Sequence, residues 1–251
     1  MKIAAQLYTV RDFTQTPAEI EKTLKKVKEI GYDAVQVSGF GPIEAEKLKE
    51  LVDEIGLKIC ATHISFDRLK NDLDNVIKEH KLWNCRQVGL GIMPEEYRSS
   101  ADGIREFLRE IAPVAKKLKE NELQFIYHNH NVEFAKYGDQ TGMDILFEES
   151  DPDYFDFEID TYWIQAGGAD PAEWIKKVKN RMDVVHFKDM TVDGWDPQMA
   201  EVGEGNLNWT RIIKACRDNQ VEWACVEQDV CQRDPFESLD ISLQNLQKIG
   251  L

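Results

Sequence analysis

The chain has 251 residues, of which 42% are hydrophobic, and this length and composition fit one α/β barrel with a sizeable core. Asp and Glu number 46 against 31 Lys and Arg, and the net charge of −15 argues against nucleic acid or a membrane surface as a partner. No segment approaches the roughly 20 apolar residues of a membrane span, and the five cysteines form no C-x-x-C pair. We therefore expect a single cytoplasmic domain over residues 1–251, with reduced thiols.

Eight short apolar runs predict eight β-strands that are separated by helical segments. Dividing the chain by eight gives about 31 residues per unit, the size of one strand, one helix and two loops. The predicted strands cover residues 3–9, 34–37, 59–63, 87–90, 124–130, 155–160, 184–187 and 224–227. Alternation of strands and helices indicates a parallel sheet, and eight units indicate a closed barrel. We predict the α/β class and a single (β/α)8 TIM barrel.

The helical segments carry start and stop signals. Thr16 with Glu19 predicts a capping box, with Pro17 at the first helical position. Gly31 and Gly56 predict helix ends in the left-handed conformation, each just before a strand. No Gly-rich phosphate loop follows the first strand, which argues against a dinucleotide-binding fold. The longest irregular stretch, residues 189–207, is predicted to be a loop over the mouth of the barrel.

Imidazoles and carboxylates stand at the C-terminal ends of the predicted strands. They are His63, His128, His130, Asp160, His186 and Glu227. A parallel barrel gathers these strand ends around one mouth, so the side chains are expected to converge on a metal site or an acid/base site. A hydrogen-bonded core or surface imidazole is the alternative for each histidine. His128 and His130 are two residues apart, so they are predicted to face the same side of their strand.

Other polar residues of these strands have less definite predictions. Glu158 lies within an apolar run, where a carboxylate needs a cation or strong donors beside it. Lys188 and Asp189 either face the mouth or form a solvated loop pair. His80, between Glu79 and Lys81, is expected to be solvated. The aromatic residues of the predicted loops either wall a sugar site or belong to the core, and these are Tyr8, Trp163, Trp195 and Trp209.

Six segments together resemble one known family. They are Gln6-Leu7-Tyr8-Thr9-Val10-Arg11-Asp12, Tyr127-His128-Asn129-His130, Ile159-Asp160-Thr161-Tyr162-Trp163, His186-Phe187-Lys188-Asp189, Gly203-Glu204-Gly205 and Val226-Glu227-Gln228-Asp229. They resemble the sugar phosphate isomerase/epimerase family of xylose isomerase-like TIM barrels. Ketose 3-epimerases, inosose isomerases and dehydratases, and endonuclease IV belong to the same superfamily. The resemblance runs from the first strand to the last helix.

This resemblance implies one divalent metal ion. Epimerases of the family hold it with Glu, Asp, His and Glu from strands five to eight, and Asp160, His186 and Glu227 match the last three positions. The fifth strand departs from the family, because His128-Asn129-His130 stands where many relatives read Glu-Asn-His. The ligand there is accordingly expected to be His128. Mn²⁺, Mg²⁺, Co²⁺ and Zn²⁺ all remain open as the metal.

The resemblance also implies proton transfer next to a carbonyl. Glu227 is expected to be one acid/base, and the second group is sought among His130, Lys188 and Glu133. The residues expected to contact the substrate are Gln6, His63, Trp163 and Glu158.

The predicted function is that of a metal-dependent isomerase or epimerase of a keto-sugar, inosose or sugar phosphate. A dehydratase or lyase that acts on a keto-sugar, 3-keto-glycoside or inosose through the same enolate is the main alternative. An endonuclease IV-like nuclease is disfavoured by the charge and by the presence of only five histidines. A non-catalytic sugar-binding barrel and the formation of a homo-oligomer are left open.

Overall fold

The computed structural model describes residues 1–251, and its centre is a closed barrel of eight parallel strands. In chain order the strands are β1 (Lys2–Gln6), β2 (Ala34–Val37), β3 (Lys58–His63), β4 (Gln87–Leu90), β5 (Gln124–His128), β6 (Lys136–Tyr137), β7 (Gln140–Thr141), β8 (Phe155–Asp160), β9 (Val184–Phe187), β10 (Asp189–Asp193), β11 (Asp196–Ala200) and β12 (Trp223–Val226). The barrel order is β1-β2-β3-β4-β5-β8-β9-β12, and β12 pairs with β1. The predicted (β/α)8 barrel is confirmed.

Helices flank the barrel and connect its strands. They are α1 (Pro17–Ile30), α2 (Ala45–Ile55), α3 (Phe66–Asn71), α4 (Leu73–Trp83), α5 (Ala101–Glu120), α6 (Gly142–Glu149), α7 (Thr161–Ala166), α8 (Pro171–Lys177), α9 (Trp209–Asp218) and α10 (Pro235–Lys248). None of them combines the length and the apolar character needed to cross a membrane.

The hydrophobic core has two layers, because barrel strands are buried on both faces. The larger layer lies between the strands and the helices and contains 58 buried residues. The smaller layer fills the barrel interior, and its members are Ala4, Ala34, Cys60, Ala61, Ile126, Val184 and Cys225. All five cysteines are free thiols.

The predicted helix signals are present in the structure. Thr16 and Glu19 form the capping box of α1, and Pro17 is its first residue. Gly31 and Gly56 end α1 and α2 with φ of 117° and 78°, a region that favours glycine. These caps turn the chain directly into β2 and β3.

Two strands end earlier than the alternation of residues predicts. β1 stops at Gln6, whose side chain accepts a hydrogen bond from the Tyr8 N–H and starts a 3₁₀ helix over Leu7–Phe13. β5 stops at His128, so His130 lies in the following loop. The predicted common strand face of His128 and His130 is therefore wrong, although their ring centroids are 4.8 Å apart.

The segment predicted to be an irregular loop contains the hairpin β10–β11. Asp189 anchors its base, because its buried carboxylate accepts hydrogen bonds from the N–H groups of Met190, Gly203, Gly205 and Leu207. The same carboxylate accepts a hydrogen bond from the Trp209 indole. Asp189 is thus a structural anchor and is not part of a solvated pair.

The prediction that His80 is solvated is wrong. His80 lies in α4 and its side chain is fully buried, with Nε2 2.7 Å from the Thr62 hydroxyl and Nδ1 2.7 Å from the Val76 carbonyl. The Val76 carbonyl accepts a hydrogen bond from Nδ1–H, so Nε2 is unprotonated and accepts a hydrogen bond from the Thr62 hydroxyl. Helical spacing places His80 on the buried face with Val76 and Ile77, between polar neighbours in sequence.

Burial lowers the pKa of His80 to about 4, from 6.5 in a model peptide. Between pH 6.5 and about pH 4, His80 is therefore protonated in the unfolded chain but neutral in the folded protein. The free energy of unfolding falls as the pH is lowered through this range. We expect this one group to remove roughly 3 kcal/mol of unfolding free energy across that window. Urea unfolding at several pH values checks this prediction. The fall in unfolding free energy between pH 6.5 and 4 should be smaller in His80→Gln than in wild type by roughly 3 kcal/mol. An equal fall in the two proteins would contradict the prediction.

Candidate metal and active site

Four buried side chains converge at the C-terminal mouth of the barrel. His128 ends β5, Asp160 ends β8, His186 lies in β9 and Glu227 directly follows β12. One nitrogen or oxygen of each lies within 4.8 Å of those of the other three. This is the set that the sequence predicts as metal ligands, and we call it the four-residue cluster.

Hydrogen bonds outside the cluster fix the orientation of both imidazoles. Nδ1 of His128 lies 2.9 Å from the carbonyl of Gly91, and Nε2 of His186 lies 2.8 Å from Oε1 of Gln36. The Gln36 amide is oriented in turn, because its Nε2 donates to Glu158. Carbonyl oxygens only accept, so these two ring nitrogens carry protons. The opposite ring nitrogens therefore face the cluster, as in histidines that bind a metal through one nitrogen and donate a hydrogen bond through the other.

Those inward nitrogens face carboxylate oxygens. Nε2 of His128 is 3.3 Å from Oδ2 of Asp160, and Nδ1 of His186 is 2.9 Å from Oε2 of Glu227. Without a metal, a proton must bridge such a contact. Burial disfavours a charged imidazole, yet Glu158 and Glu227 hold the pKa of His186 well above its usual value. A metal cation would replace this proton.

The chemistry of the donors fits a divalent ion. Two imidazoles and two carboxylates suit Mn²⁺, Co²⁺ or Zn²⁺, and the two carboxylate charges balance a dication. Burial opposes ionisation of Asp160 and Glu227, but Lys188 and the neighbouring histidines keep the pKa of both carboxyls well below the ordinary range. Both groups are therefore ionised and ready to bind a cation.

Lys188 is fully buried beside the cluster. Its Nζ lies 2.8 Å from Oδ2 of Asp160, 2.7 Å from Oε2 of Glu227 and 2.5 Å from Oδ2 of Asp229. Although burial disfavours its charge, these carboxylates keep the pKa of Lys188 well above its usual value. The solvated alternative for Lys188 is thus wrong, and the sequence analysis did not identify Asp229 as part of the site.

Glu158 lies two residues before Asp160 on β8 and is paired with His63. Oε2 of Glu158 is 2.6 Å from Nε2 of His63, and its Oε1 accepts the Gln36 amide. Burial opposes its charge, but His186 and His63 hold the pKa of Glu158 well below its usual value. Fully buried in this way, Glu158 orients other side chains, and the structure does not place it on the cavity wall.

Glu133 is not brought to the cluster. Its buried carboxylate accepts hydrogen bonds from the Tyr127 hydroxyl at 2.6 Å and from the His130 N–H at 2.8 Å. Tyr127 packs on Phe107 of α5, on the outer side of the barrel. The carboxylate therefore stabilises the loop after β5, and we leave Glu133 out of the proposed proton relay.

Three predicted site residues carry a buried nitrogen without a hydrogen-bond partner. These atoms are Nε2 of Gln6, Nδ1 of His130 and Nε1 of Trp163. The rings of His130 and Trp163 are 5.3 Å apart, and the Lys188 Nζ lies 5.5 Å from the Trp163 ring centroid. Buried polar atoms in native proteins are nearly always paired, so an unpaired nitrogen that reaches a cavity favours a polar ligand. His130 lines the cavity described next, whereas Gln6 and Trp163, predicted to contact the substrate, do not.

A cavity of about 470 Å³ opens onto the cluster, within the size range of small-molecule sites. Four predicted site residues line it, namely His63, His128, His130 and Glu227. Asp229, Tyr8, Phe66 and Ile92 are also on its wall. Trp195 is fully exposed at the hairpin tip, and Trp209 is buried on Asp189, so neither walls this cavity.

The sequence analysis missed Gln36 as well as Asp229. Gln36 is a buried amide in the apolar strand β2, and it connects His186 to Glu158. The sequence did contain a signal for Gln36, because it is a polar residue inside the apolar run Ala34-Val35-Gln36-Val37. For Asp229 the signal was a second carboxylate two residues after Glu227.

Comparison with known proteins places this geometry in a family. The family model described as xylose isomerase-like TIM barrel matches residues 24–248. The chain is 22% identical over 207 residues to the inosose dehydratase of Clostridium beijerinckii, covering 75% of this chain and 64% of that protein. It is 26% identical over 163 residues to the inosose dehydratase of Clostridium tetani, covering 57% and 51%. The matches thus span less than two thirds of the length of these two relatives.

Solved structures are similar over nearly the whole chain. A sugar phosphate isomerase/epimerase from Parabacteroides distasonis has a TM-score of 0.82 at 22% identity, covering 98% of both chains. The probable 3-DHS dehydratase AsbF from Bacillus anthracis has a TM-score of 0.75 at 14% identity, covering 98% of this chain and 99% of that one. At these identities the likeness concerns the fold, whereas the family model covers most of the sequence. The chain belongs to the xylose isomerase-like TIM barrel family.

Proposed function

We propose that the protein is a divalent-metal-dependent enzyme that removes a proton next to the carbonyl of a keto-sugar or keto-polyol. The observation that carries the proposal is the convergence of two imidazoles and two carboxylates beside a ligand-sized cavity, whose wall includes His128 and Glu227. The residues that would hold the ion are His128, Asp160, His186 and Glu227. A divalent ion bound there supplies positive charge that polarises the carbonyl and offsets the charge developing as the proton leaves.

Glu227 is the proposed base. It is ionised and lines the cavity, and its contacts with His186 and Lys188 both use Oε2, which leaves Oε1 for the substrate proton. Lys188 is the proposed acid, since it holds a proton under the same carboxylate. His130 lines the cavity and its Nδ1 has no partner, so this nitrogen is proposed to bind a substrate hydroxyl or carbonyl oxygen.

The distribution of acid/base groups supports elimination as the outcome. Epimerisation needs a group on each face of the planar enediolate. Glu227 is the one carboxylate of the cluster on the cavity wall, and the position where the family's epimerases carry glutamate holds His128, whose two nitrogens face Gly91 and Asp160.

The eliminating step is balanced without a further reactant. Glu227 takes the proton next to the carbonyl, the bond from the next carbon to its hydroxyl oxygen breaks, and that oxygen leaves as water with a proton from Lys188. The product is an unsaturated ketone. The inosose dehydratases among the similar proteins support dehydration as the outcome.

Isomerisation or epimerisation, the function predicted from the sequence, is the second candidate. It is favoured by the free Nδ1 of His130, which could return the proton from another direction. NMR analysis of an inosose incubated with the Mn²⁺-loaded protein separates the two. We expect loss of water from the substrate, whereas a stereoisomer or an aldose–ketose pair would assign isomerase or epimerase chemistry instead.

The two histidines after Tyr127 are expected to have different roles. His128→Ala should lose bound metal because Nε2 of His128 faces the cluster, while His130→Ala should retain metal and lose turnover. Elemental analysis beside an activity assay checks both variants. The reverse pattern would mean that His130, and not His128, is the ligand. His128→Glu restores the carboxylate of the family's epimerases and serves as the matched control for metal retention.

A further inference from the structure

The Lys188 ammonium is surrounded by three carboxylates, one of which, Asp229, accepts a hydrogen bond from it. An ammonium has three N–H donors, and Nζ of Lys188 lies within 2.8 Å of three oxygens, one each from Asp160, Glu227 and Asp229. The side chain has no exposed surface. Three anionic partners compensate the cost of burying this cation.

Two of those three oxygens are atoms of the four-residue cluster. Oδ2 of Asp160 also faces Nε2 of His128, and Oε2 of Glu227 also faces Nδ1 of His186. The ammonium therefore contacts the same oxygens that would bind a divalent ion. A dication and an ammonium on shared oxygens in a buried site repel each other strongly. The ion and the ammonium therefore cannot both remain in close contact with Oδ2 of Asp160 and Oε2 of Glu227.

The third partner offers the ammonium another position. Asp229 is outside the four-residue cluster, its side chain is 22% exposed, and it lines the cavity. Nζ already contacts Asp229, and the flexible four-carbon stem of lysine lets it leave Asp160 and Glu227 while keeping that contact, without a backbone change.

We propose that Lys188 is a built-in competitor of the metal ion: it fills the cation position in the metal-free protein and withdraws to Asp229 when the ion binds. The inference rests on the proposed metal site and concerns its regulation. Lys188 compensates the buried carboxylates before metal arrives, and it also weakens metal affinity. After withdrawal, its ammonium lies on the cavity wall beside the substrate.

Calorimetric titration of Mn²⁺ into the metal-stripped full chain tests this competition. Lys188→Met should bind Mn²⁺ at least about tenfold more tightly than wild type, because the competing charge is gone. Lys177→Met is the matched control, since Lys177 pairs with Asp144 on the protein exterior, and it should bind as wild type does. Equal or weaker binding by Lys188→Met overturns the proposal.

The withdrawal to Asp229 has its own test. Asp229→Asn should weaken Mn²⁺ binding about fivefold or more in wild type and by much less in the Lys188→Met background, because its effect acts through Lys188. An equal loss in both backgrounds would overturn the withdrawal. If Lys188→Met does not fold, the comparison of wild type with Asp229→Asn still tests the competition. Unchanged Mn²⁺ binding by Asp229→Asn would contradict the competition.

Thermal unfolding supplies a second readout. Lys188→Met should lower the unfolding temperature of the metal-free protein, and saturating Mn²⁺ should raise it by more than in wild type. An unchanged metal-free unfolding temperature would contradict the role of Lys188 as resident counter-ion. Absence of Mn²⁺ binding in every variant would instead reject the metal site itself, whereas equal binding by wild type and Lys188→Met rejects only the competition.

Discussion

Glu227→Gln is expected to lose deuterium exchange next to the substrate carbonyl by at least about 100-fold, the low end of a general base's contribution. The amide cannot accept the substrate proton, but its oxygen can still contact the ion, so Mn²⁺ should bind at saturating concentration. Mass spectrometry of a keto-sugar or inosose recovered from D₂O measures the exchange rate. Wild-type exchange in the variant would remove Glu227 from the acid/base role and leave it only a ligand.

Glu133→Gln is the matched control for this experiment. Both substitutions replace a buried glutamate by its amide, but the Glu133 carboxylate faces Tyr127 and the His130 N–H. Exchange in Glu133→Gln should stay within a few fold of wild type. A loss of about 100-fold in Glu133→Gln, with unchanged exchange in Glu227→Gln, would mean that Glu133 and not Glu227 is the base.

Asp160→Ala is expected to abolish metal binding and to lower stability. Oδ2 of Asp160 faces His128 and Lys188, and Oδ1 accepts the Trp163 N–H at the start of α7. Removing one partner of a buried ion pair typically costs about 3–5 kcal/mol, because the other charge stays buried. Elemental analysis should fall from about one ion per chain to nearly none, and urea unfolding should show the stability loss.

Asp160→Asn separates the two effects. The amide keeps the side-chain oxygen that caps α7 but loses the charge that a cation needs. It should bind as little metal as Asp160→Ala and retain more stability. Full metal occupancy in either variant would contradict the assignment of Asp160 as a ligand.

The barrel could be predicted from sequence because its signals are local. Apolar runs and helix caps recur at regular spacing, and six of the eight barrel strands lie within one residue of prediction at each end. The exceptions, β1 and β5, end where a side chain captures a backbone N–H: Gln6 binds that of Tyr8, and Glu133 binds that of His130. These hydrogen bonds depend on the conformation of the side chain, which cannot be predicted from the alternation of apolar and polar residues.

The geometry of the mouth was predictable only in part. Strand ends place His128, Asp160, His186 and Glu227 together, because topology alone gathers them. The burial of Lys188, the bridging amide of Gln36 and the outward direction of Glu133 depend on contacts between distant segments. Gln36, for example, meets His186 across 150 positions of sequence.

Solvent deuterium uptake with and without metal tests the central claim most directly. Wild-type protein is stripped of metal, divided, and one half is loaded with Mn²⁺ before both are incubated in D₂O with a panel of keto-sugars and inososes. We expect deuterium next to the carbonyl of at least one compound with the loaded protein and at least about 100-fold less with the stripped protein. Equal uptake by the two samples, or none with tightly bound Mn²⁺ across the panel, would contradict metal-dependent proton removal as the function of this site.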